Sequence, residues 1–282
     1  MARQSQTVLI TGCSTGIGRA TAERLAGAGH TVYATARKLE AIEDLKAKGC
    51  HTLALDVTDE SSMQAAVSAV EDAEGAVGAL VNNAGYSQSG AVESVSLDNI
   101  RKQFETNVFG LIRMSQLVLP KMRERGGGRV INLSSMGGKL TFPGGGIYHA
   151  TKYAVEAISD AMRFEVGGFG VRVVLIEPGL IVTEFASAAV GSMNSGVTEN
   201  GPYAKFNRAV AASTVGAYKG PTAKLGGGPE TVAKAIEKAI TARRPKARYL
   251  VTPSARILTG QRKVSTDRMW DMFVGTQFPR PK

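Results

Sequence analysis

Short apolar runs and longer amphipathic stretches alternate along most of this chain. Thr7-Val8-Leu9-Ile10-Thr11 is a continuous apolar run ending in glycines, the pattern of a strand buried on both faces. Ala20, Ala22, Leu25 and Ala26 then recur at helical spacing until Gly27 and Gly29 stop them. The same rhythm predicts strands at 31–36, 52–55 and 79–81, with helices at 39–48 and 59–74, the latter capped by Asp59 or Ser61. A long helix runs from about Leu97 to Arg125 and meets Gly126-Gly127-Gly128; a fifth strand follows from Arg129 to Leu133. Tyr148 to Gly167 reads as a helix, Val171 to Ile176 as a sixth strand, Pro229 to Ala242 as a helix and Tyr249-Leu250-Val251 as an edge strand. This alternation implies a doubly wound α/β fold: a parallel sheet of about seven strands with right-handed crossovers and helices on both faces. Such sheets bind ligands outside the carboxyl ends of their strands, where the strand order reverses.

Two segments break the rhythm without splitting the 282 residues into separate domains. Residues 184–228 are rich in Gly, Ser, Ala and Asn, and an insertion of that length predicts a substrate lid or partial disorder. The last stretch, about 253–282, is a basic tail. The formal charge is +10, but residues 1–242 contribute only +2 of it and residues 243–282 contribute +8. The basicity therefore belongs to the tail and not to a face of the main domain, and the tail carries no nucleic-acid motif, so no nucleic-acid partner is expected. A solvated or subunit-contacting tail is the expectation, with Trp270, Met272, Phe273 and Phe278 available to pack on a neighbour or cap the active site.

No window approaches the roughly 18 uninterrupted apolar residues of a membrane span, and the N-terminus runs into the first strand with no apolar export segment; a cytoplasmic protein is expected. Cys13 and Cys50 are too few for a disulfide framework, and His30, His51 and His149 stand at no metal-ligand spacing, so no metal is expected. Cys13 lies beside a helix N-terminus, which would lower its pKa.

Thr11-Gly12-Cys13-Ser14-Thr15-Gly16-Ile17-Gly18 joins the first strand to the first helix. Gly12 permits a tight turn, Gly16 lets a pyrophosphate approach the backbone, and Gly18 lets the helix pack closely, while the helix N-terminus offers free N–H groups to phosphate. The spacing is G-x-x-x-G-x-G. It resembles the cofactor loop of the short-chain dehydrogenase/reductase family, and the resemblance extends in order over roughly residues 7–183. Asp56-Val57 matches that family's adenine-contacting pair, Asn82-Asn83-Ala84-Gly85 its N-N-A-G signature, and Asn107 its active-site Asn. Ser135 stands thirteen residues before Tyr148, the family's Ser–Tyr spacing, and Tyr148-His149-Ala150-Thr151-Lys152 is its Y-x-x-x-K. Pro178-Gly179-Leu180-Ile181-Val182-Thr183 matches its P-G-x-V-x-T, with Ile181 at the Val position.

The resemblance implies a Rossmann-type sheet and an NADP(H)- or NAD(H)-dependent interconversion of an alcohol and a carbonyl, with Asn107, Ser135, Tyr148 and Lys152 as catalytic residues. Its cofactor set is Gly12, Ser14, Gly16, Ile17, Gly18, Arg37, Asp56, Val57, Asn83, Ala84, Gly85, Tyr148, Lys152, Pro178, Gly179, Ile181 and Thr183. The segment from Ser134 to Lys152 and the loop after Thr183 look most like members acting on steroids or other lipophilic alcohols.

The chemistry has its own logic. A phenol titrates near 10, too high for a base at neutrality. Lys152 lies one helical turn from Tyr148; a cation at about 5 Å with an effective dielectric near 20 is worth roughly 3 kcal/mol, enough to predict a phenol at about 7 to 8. Ser135 would hydrogen-bond the reacting oxygen. The resemblance adds a ribose contact for Lys152 and a relay water for Asn107, which by itself reads only as a mid-helix polar residue making a solvent or backbone contact. NAD-selective members of the fold place an acid at the end of the second strand. Here that position is Ala36, followed by Arg37 and Lys38, so NADP(H) is expected. A retained-cofactor epimerase or dehydratase and a non-catalytic NADP(H) sensor are the alternatives. The long Leu97–Arg125 and Tyr148–Gly167 helices are the expected contacts of a homodimer or homotetramer.

Overall fold

In the computed structural model, which describes residues 6–193, 201–219 and 221–281, seven strands form one sheet. They are β1 (Thr7–Ile10), β2 (Thr31–Ala36), β3 (Cys50–Ala54), β4 (Ala79–Asn82), β5 (Gly128–Leu133), β6 (Val171–Glu177) and β7 (Arg248–Leu250). Every neighbouring pair is parallel in the order β3-β2-β1-β4-β5-β6-β7, so the order reverses between β1 and β4.

The two-residue period of the strands divides the core into two layers. Val8, Ile10, Val32, Ala34, Ala79, Val81, Ile131 and Ile176 face α1 (Gly16–Gly27) and the later helix Pro229–Thr241. Leu9, Tyr33, Leu80, Val130 and Val173 face the opposite layer, built from α2 (Glu60–Glu74) and the helices between β4 and β6. Asp59, not Ser61, caps α2, its carboxylate accepting the Ser62 N–H at 3.0 Å.

The segment Leu39–Lys48 is not the α-helix its composition suggests but a series of 3₁₀ turns. Its only buried residues are Ile42 and Leu45, and a three-residue turn stacks side chains at that spacing on one side. The long helix after β4 is interrupted: α3 (Leu97–Phe104) passes through a π turn at Glu105–Phe109 into α4 (Gly110–Glu124). Asn107 lies in that turn. After β5, α5 (Gly146–Glu165) carries the Y-x-x-x-K residues.

Beyond β6 the structure departs most from expectation. The insertion contains α6 (Phe185–Gly191), α7 (Ala204–Lys219) and a 3₁₀ stretch Pro221–Leu225, with 194–200 outside the described residues. After α8 (Pro229–Thr241) and β7, the basic tail folds into α9 (Pro253–Val264) and α10 (Asp267–Gly275). Of the alternatives for the tail, packing on this chain's own site segment is the one the aromatic residues take. Trp270, Val274 and Phe278, spaced by four, are buried against Phe206, Val210, Leu140 and Ala91 of the same chain. Trp270 Nε1 donates to the Thr141 carbonyl at 3.2 Å, so the tail caps the segment that follows Ser135. No helix among the described residues is long and apolar enough to cross a membrane.

Candidate active site

The glycine loop leaves β1 with Gly12 at φ 74° and enters α1 through Gly16 at φ 59°. A Cβ on Gly18 would lie 2.2 Å from the Gly12 carbonyl oxygen and 2.5 Å from Asn83 Nδ2, so only glycine allows the helix to begin this close to the loop. Asn83 braces the turn: Nδ2 donates to the carbonyls of Thr11 and Gly12, both at 2.9 Å. Thr11 Oγ1 accepts the N–H groups of Asn83 and Ala84 at 3.0 and 2.9 Å. Thr11, which no motif singled out, and the Asn83 side chain thus hold the loop from beneath.

The N-terminus of α1 fits an anion. Thr15 makes no side-chain cap, the first turn has no acidic residue, and Ser14 and Thr15 are exposed. Cys13, in contrast, is fully buried, and burial pushes its thiol up to about 12, which overturns the expectation of a lowered pKa. Gly16 lies beside Thr183 across the mouth, a Cβ there falling 3.5 Å from the Thr183 methyl, and Ile17 packs partly buried against the core.

Arg37 follows the last residue of β2, buried Ala36, and is exposed. Burial raises the phenol of Tyr86, and the Arg37 charge opposes the rise. The Asp56 carboxylate accepts the backbone and hydroxyl hydrogens of Thr58 at 2.9 and 2.7 Å, and Val57 packs beneath Gly110. On the far side Pro178 accepts the Met136 N–H at 2.8 Å, and Gly179 fits against Thr252 and Ser254 at the start of α9. Ile181 pairs with Gly227 in an isolated parallel bridge.

Ser135, extended at the end of β5, accepts the Gly137 N–H at 3.0 Å, and its hydroxyl is near enough to the Tyr148 phenol to lower it. The neighbouring Ser134 is buried and faces away, toward Gly138 and α5. Lys152 lies one turn after Tyr148, its Nζ 5.8 Å from the phenol ring centre and donating to the Leu133 carbonyl at 2.7 Å. Burial brings the Lys152 ammonium down to about 8, with the Glu156 charge opposing. Burial also pushes the Tyr148 phenol above its ordinary value, against the Ser135 hydrogen bond that lowers it. A phenol near 7 to 8 is therefore not a property of the protein groups alone: Lys152 is turned toward β5, and desolvation outweighs the bond from Ser135.

Asn107 is buried and fully committed. Its Oδ1 accepts the Tyr86 N–H at 3.1 Å, and Nδ2 donates to the Tyr86 carbonyl and to Thr151 Oγ1 at 2.9 and 3.1 Å. The amide has no donor left for a relay water and ties the segment after Gly85 to α5. His149 does similar work: Nδ1 donates to the Gly137 carbonyl at 3.1 Å, and Nε2 accepts the Phe142 N–H at 3.3 Å. Both bonds require the neutral ring, and burial lowers its pKa to about 4. Beneath the site, Asn82, Ser115, Asn132 and Ser159 form a buried hydrogen-bonded ladder across β4, β5, α4 and α5. Among these residues only Asn82 belonged to a recognised motif.

A family model described as short chain dehydrogenase matches residues 6–194. This chain belongs to the short-chain dehydrogenase family. The 3-ketodihydrosphingosine reductase of Bacteroides thetaiotaomicron is 34% identical over 266 residues, covering 92% of this chain and 93% of the relative. An NADPH-dependent 3-dehydrocapnine reductase from Ornithobacterium rhinotracheale is 35% identical over 274 residues, covering 93% and 94%. The crystal structure of a short-chain dehydrogenase from Streptomyces avermitilis superposes with a TM-score of 0.79 at 33% identity, covering 97% of each chain. The seven-stranded parallel sheet with flanking helices is thus the family's fold, and short-chain dehydrogenases are oxidoreductases that bind a nicotinamide cofactor.

Proposed function

We propose that this short-chain dehydrogenase is an NADPH-dependent reductase of lipophilic ketones, acting in the cytoplasm as a homodimer or homotetramer. The observation that carries the reading is the gathering of Ser135, Tyr148 and Lys152 at one place: the Lys152 Nζ lies 5.8 Å from the phenol ring centre, and the Ser135 hydroxyl acts on the same phenol. A bound nicotinamide dinucleotide supplies the hydride. Ser135 donates to the carbonyl oxygen and Tyr148 delivers the proton. A phenol pushed up by burial keeps its proton until the carbonyl oxygen becomes basic, which favours carbonyl reduction. Lys152 has three N–H donors, one used by Leu133; the others are available to a ribose hydroxyl, and its charge stabilises the phenolate left behind.

The glycine loop, the uncapped N-terminus of α1, Asp56-Val57, Ala84-Gly85 and the segment after Pro178 would hold the cofactor. Exposed Arg37 beside Ala36 supports NADPH, since a guanidinium suits a 2′-phosphate and no acid repels it. The phenol is flanked by the Phe185 ring at 5.5 Å and lies near Tyr218, and the aromatic cap continues beyond, which supports an apolar substrate. The named substrates of the two reductases above, 3-keto lipids, are the natural first choice. Exposed Leu97, Phe109, Tyr153 and Phe164 on α3, the π turn and α5 support a subunit contact there.

The test is loss of NADPH absorbance with a long-chain 3-keto lipid and with a short water-soluble ketone. The long-chain substrate should be preferred at least about tenfold in kcat/KM, as burial of a few methylenes allows. Preference for the short ketone would remove the lipid assignment. Product formation without net NADPH loss would instead identify a retained-cofactor epimerase or dehydratase.

A further inference from the structure

Behind Lys152 lies a group of charges to which neither the motifs nor the proposed reaction assigns a role. Glu156 is one turn beyond Lys152 on α5, and Glu177 ends β6; they are only 5% and 2% exposed. Glu156 Oε2 is held by Lys139 Nζ at 2.7 Å and Arg248 Nε at 3.0 Å. Arg248 Nε also lies 3.2 Å from Glu177 Oε1, and its other arm pairs with Asp160, which in turn pairs with Arg163. Even so, Oε1 of Glu156 and Oε1 of Glu177 are both buried with no hydrogen-bond donor. Two adjacent buried carboxyls that each lack a donor are satisfied by one proton on the pair.

The arrangement joins all three catalytic side chains. Lys139 ends the 3₁₀ turn that begins after Ser135, so the Lys139–Glu156 pair ties the Ser135 loop to the helix bearing Tyr148 and Lys152. The fit is close, since a Cβ on Gly138 would lie 2.9 Å from Glu156 Cγ and 3.0 Å from the Lys152 carbonyl oxygen. Burial brings the Lys152 ammonium down, and the charge of Glu156, one turn further along α5, opposes that fall.

We propose that Glu156 is a positioning residue of the reaction: clamped by Lys139 and Arg248, it keeps Lys152 protonated and holds a protonated Glu177 at its side. The inference rests on the reductase reading for its kinetic consequence, but not for its existence. Burial, then the Glu156 charge and hydrogen bond, push the Glu177 carboxyl up to about 7, and Lys139 and Arg248 oppose that rise. Removing Glu156 must therefore lower two titrations at once, those of a carboxyl and of an ammonium. Removing Lys139 must raise the carboxyl. A general loosening of the site has no reason to produce opposite signs.

The decisive experiment is a carbon-detected NMR titration of glutamate carboxyls and lysine side chains in the wild type, Glu156→Gln and Lys139→Met, with no substrate needed. One carboxyl should titrate near pH 7 in the wild type, move down in Glu156→Gln and move up in Lys139→Met. The Lys152 ammonium should titrate near 8 and fall by about one pH unit in Glu156→Gln. The alkaline limb of kcat/KM should move down with it. No carboxyl titration between pH 6 and 8 in the wild type, or shifts of the same sign in the two variants, would overturn the proposal. If Glu156→Gln does not fold, the wild-type and Lys139→Met titrations still decide. Absence of ketone reduction alongside these titrations would sink the reductase reading and leave this one standing.

Discussion

The two ends of the active-site mouth are built on different principles. At the proposed cofactor end the groups on offer are largely main chain: Gly12, Gly16 and the free N–H groups of α1 are set out by local sequence and braced by Thr11 and Asn83. At the substrate end, side chains from distant segments gather: Phe185 lies against Tyr148, and Phe142, Phe206 and the tail residues Trp270 and Phe278 continue the apolar cap, four separate stretches in all. A backbone site demands particular residues at fixed spacing. A side-chain cap demands only enough apolar volume in the right place, which many sequences can supply. The first end can therefore be read along the chain, and the second only across it.

The sharpest way to separate the two ends is at the atom they share. Tyr148→Phe keeps the ring contacts with Phe185 and His149 but removes the proton, so turnover should fall by about 10²–10⁴ while NADPH affinity stays unchanged in a fluorescence titration. Near-native turnover would remove Tyr148 from the mechanism.

Truncating the cap should touch the substrate end alone. Trp270→Ala deletes a buried ring and its bond to the Thr141 carbonyl, a loss of about 3–5 kcal/mol. Hydrogen exchange should show the 253–281 region opening before the sheet, with KM for the ketone raised and cofactor affinity retained. Equal weakening of cofactor binding would mean that the two ends are not independent.

Acid should act in the same region. His149 titrates at about 4 when folded against an ordinary 6.5, so the folded state binds fewer protons between those values. Its contribution, about 3 kcal/mol, is complete above pH 6.5 and lost as pH falls toward 4. Glu177 has the opposite sign: raised from 4.5 to about 7, it makes stability fall as pH rises through that window. The two slopes oppose each other between 4.5 and 6.5. Glu177→Gln should expose the His149 slope, seen as a steeper drop in denaturant midpoint on acidification; an unchanged profile would discount one group or the other.

At the cofactor end, Ala36→Asp combined with Arg37→Ala should reverse the nucleotide preference by roughly ten- to a hundredfold, about 1.5–3 kcal/mol. Equal kcat/KM with NADH and NADPH in the unmodified enzyme would sink the Arg37 assignment. The smallest effect lies outside both ends: Asp59→Ala removes the α2 cap and should lower the denaturant midpoint slightly with kinetics unchanged.

The sequence by itself determined the strand and helix alternation, the glycine loop and the Ser135–Tyr148–Lys152 spacing, because each depends on period or on contacts within one turn. It also narrowed the α2 cap to Asp59 or Ser61, since capping is local, and the structure chose Asp59. Tertiary structure decided everything that depends on what a residue meets. Cys13 became inert because β2 and α1 bury it, and Asn107 became a strut because a π turn aims it at Tyr86. The basic tail became a cap because Trp270, Val274 and Phe278 find an apolar surface on α7 and the Ser135 loop. Charge counts described the exposed side of those helices, and only packing revealed the buried one. Glu156, Glu177, Lys139 and Arg248, far apart in sequence and unremarkable in pattern, form one buried network because the sheet brings β6 and β7 beside α5. Desolvation and Coulomb energy depend on distance through space, and the order of residues along a chain does not contain it.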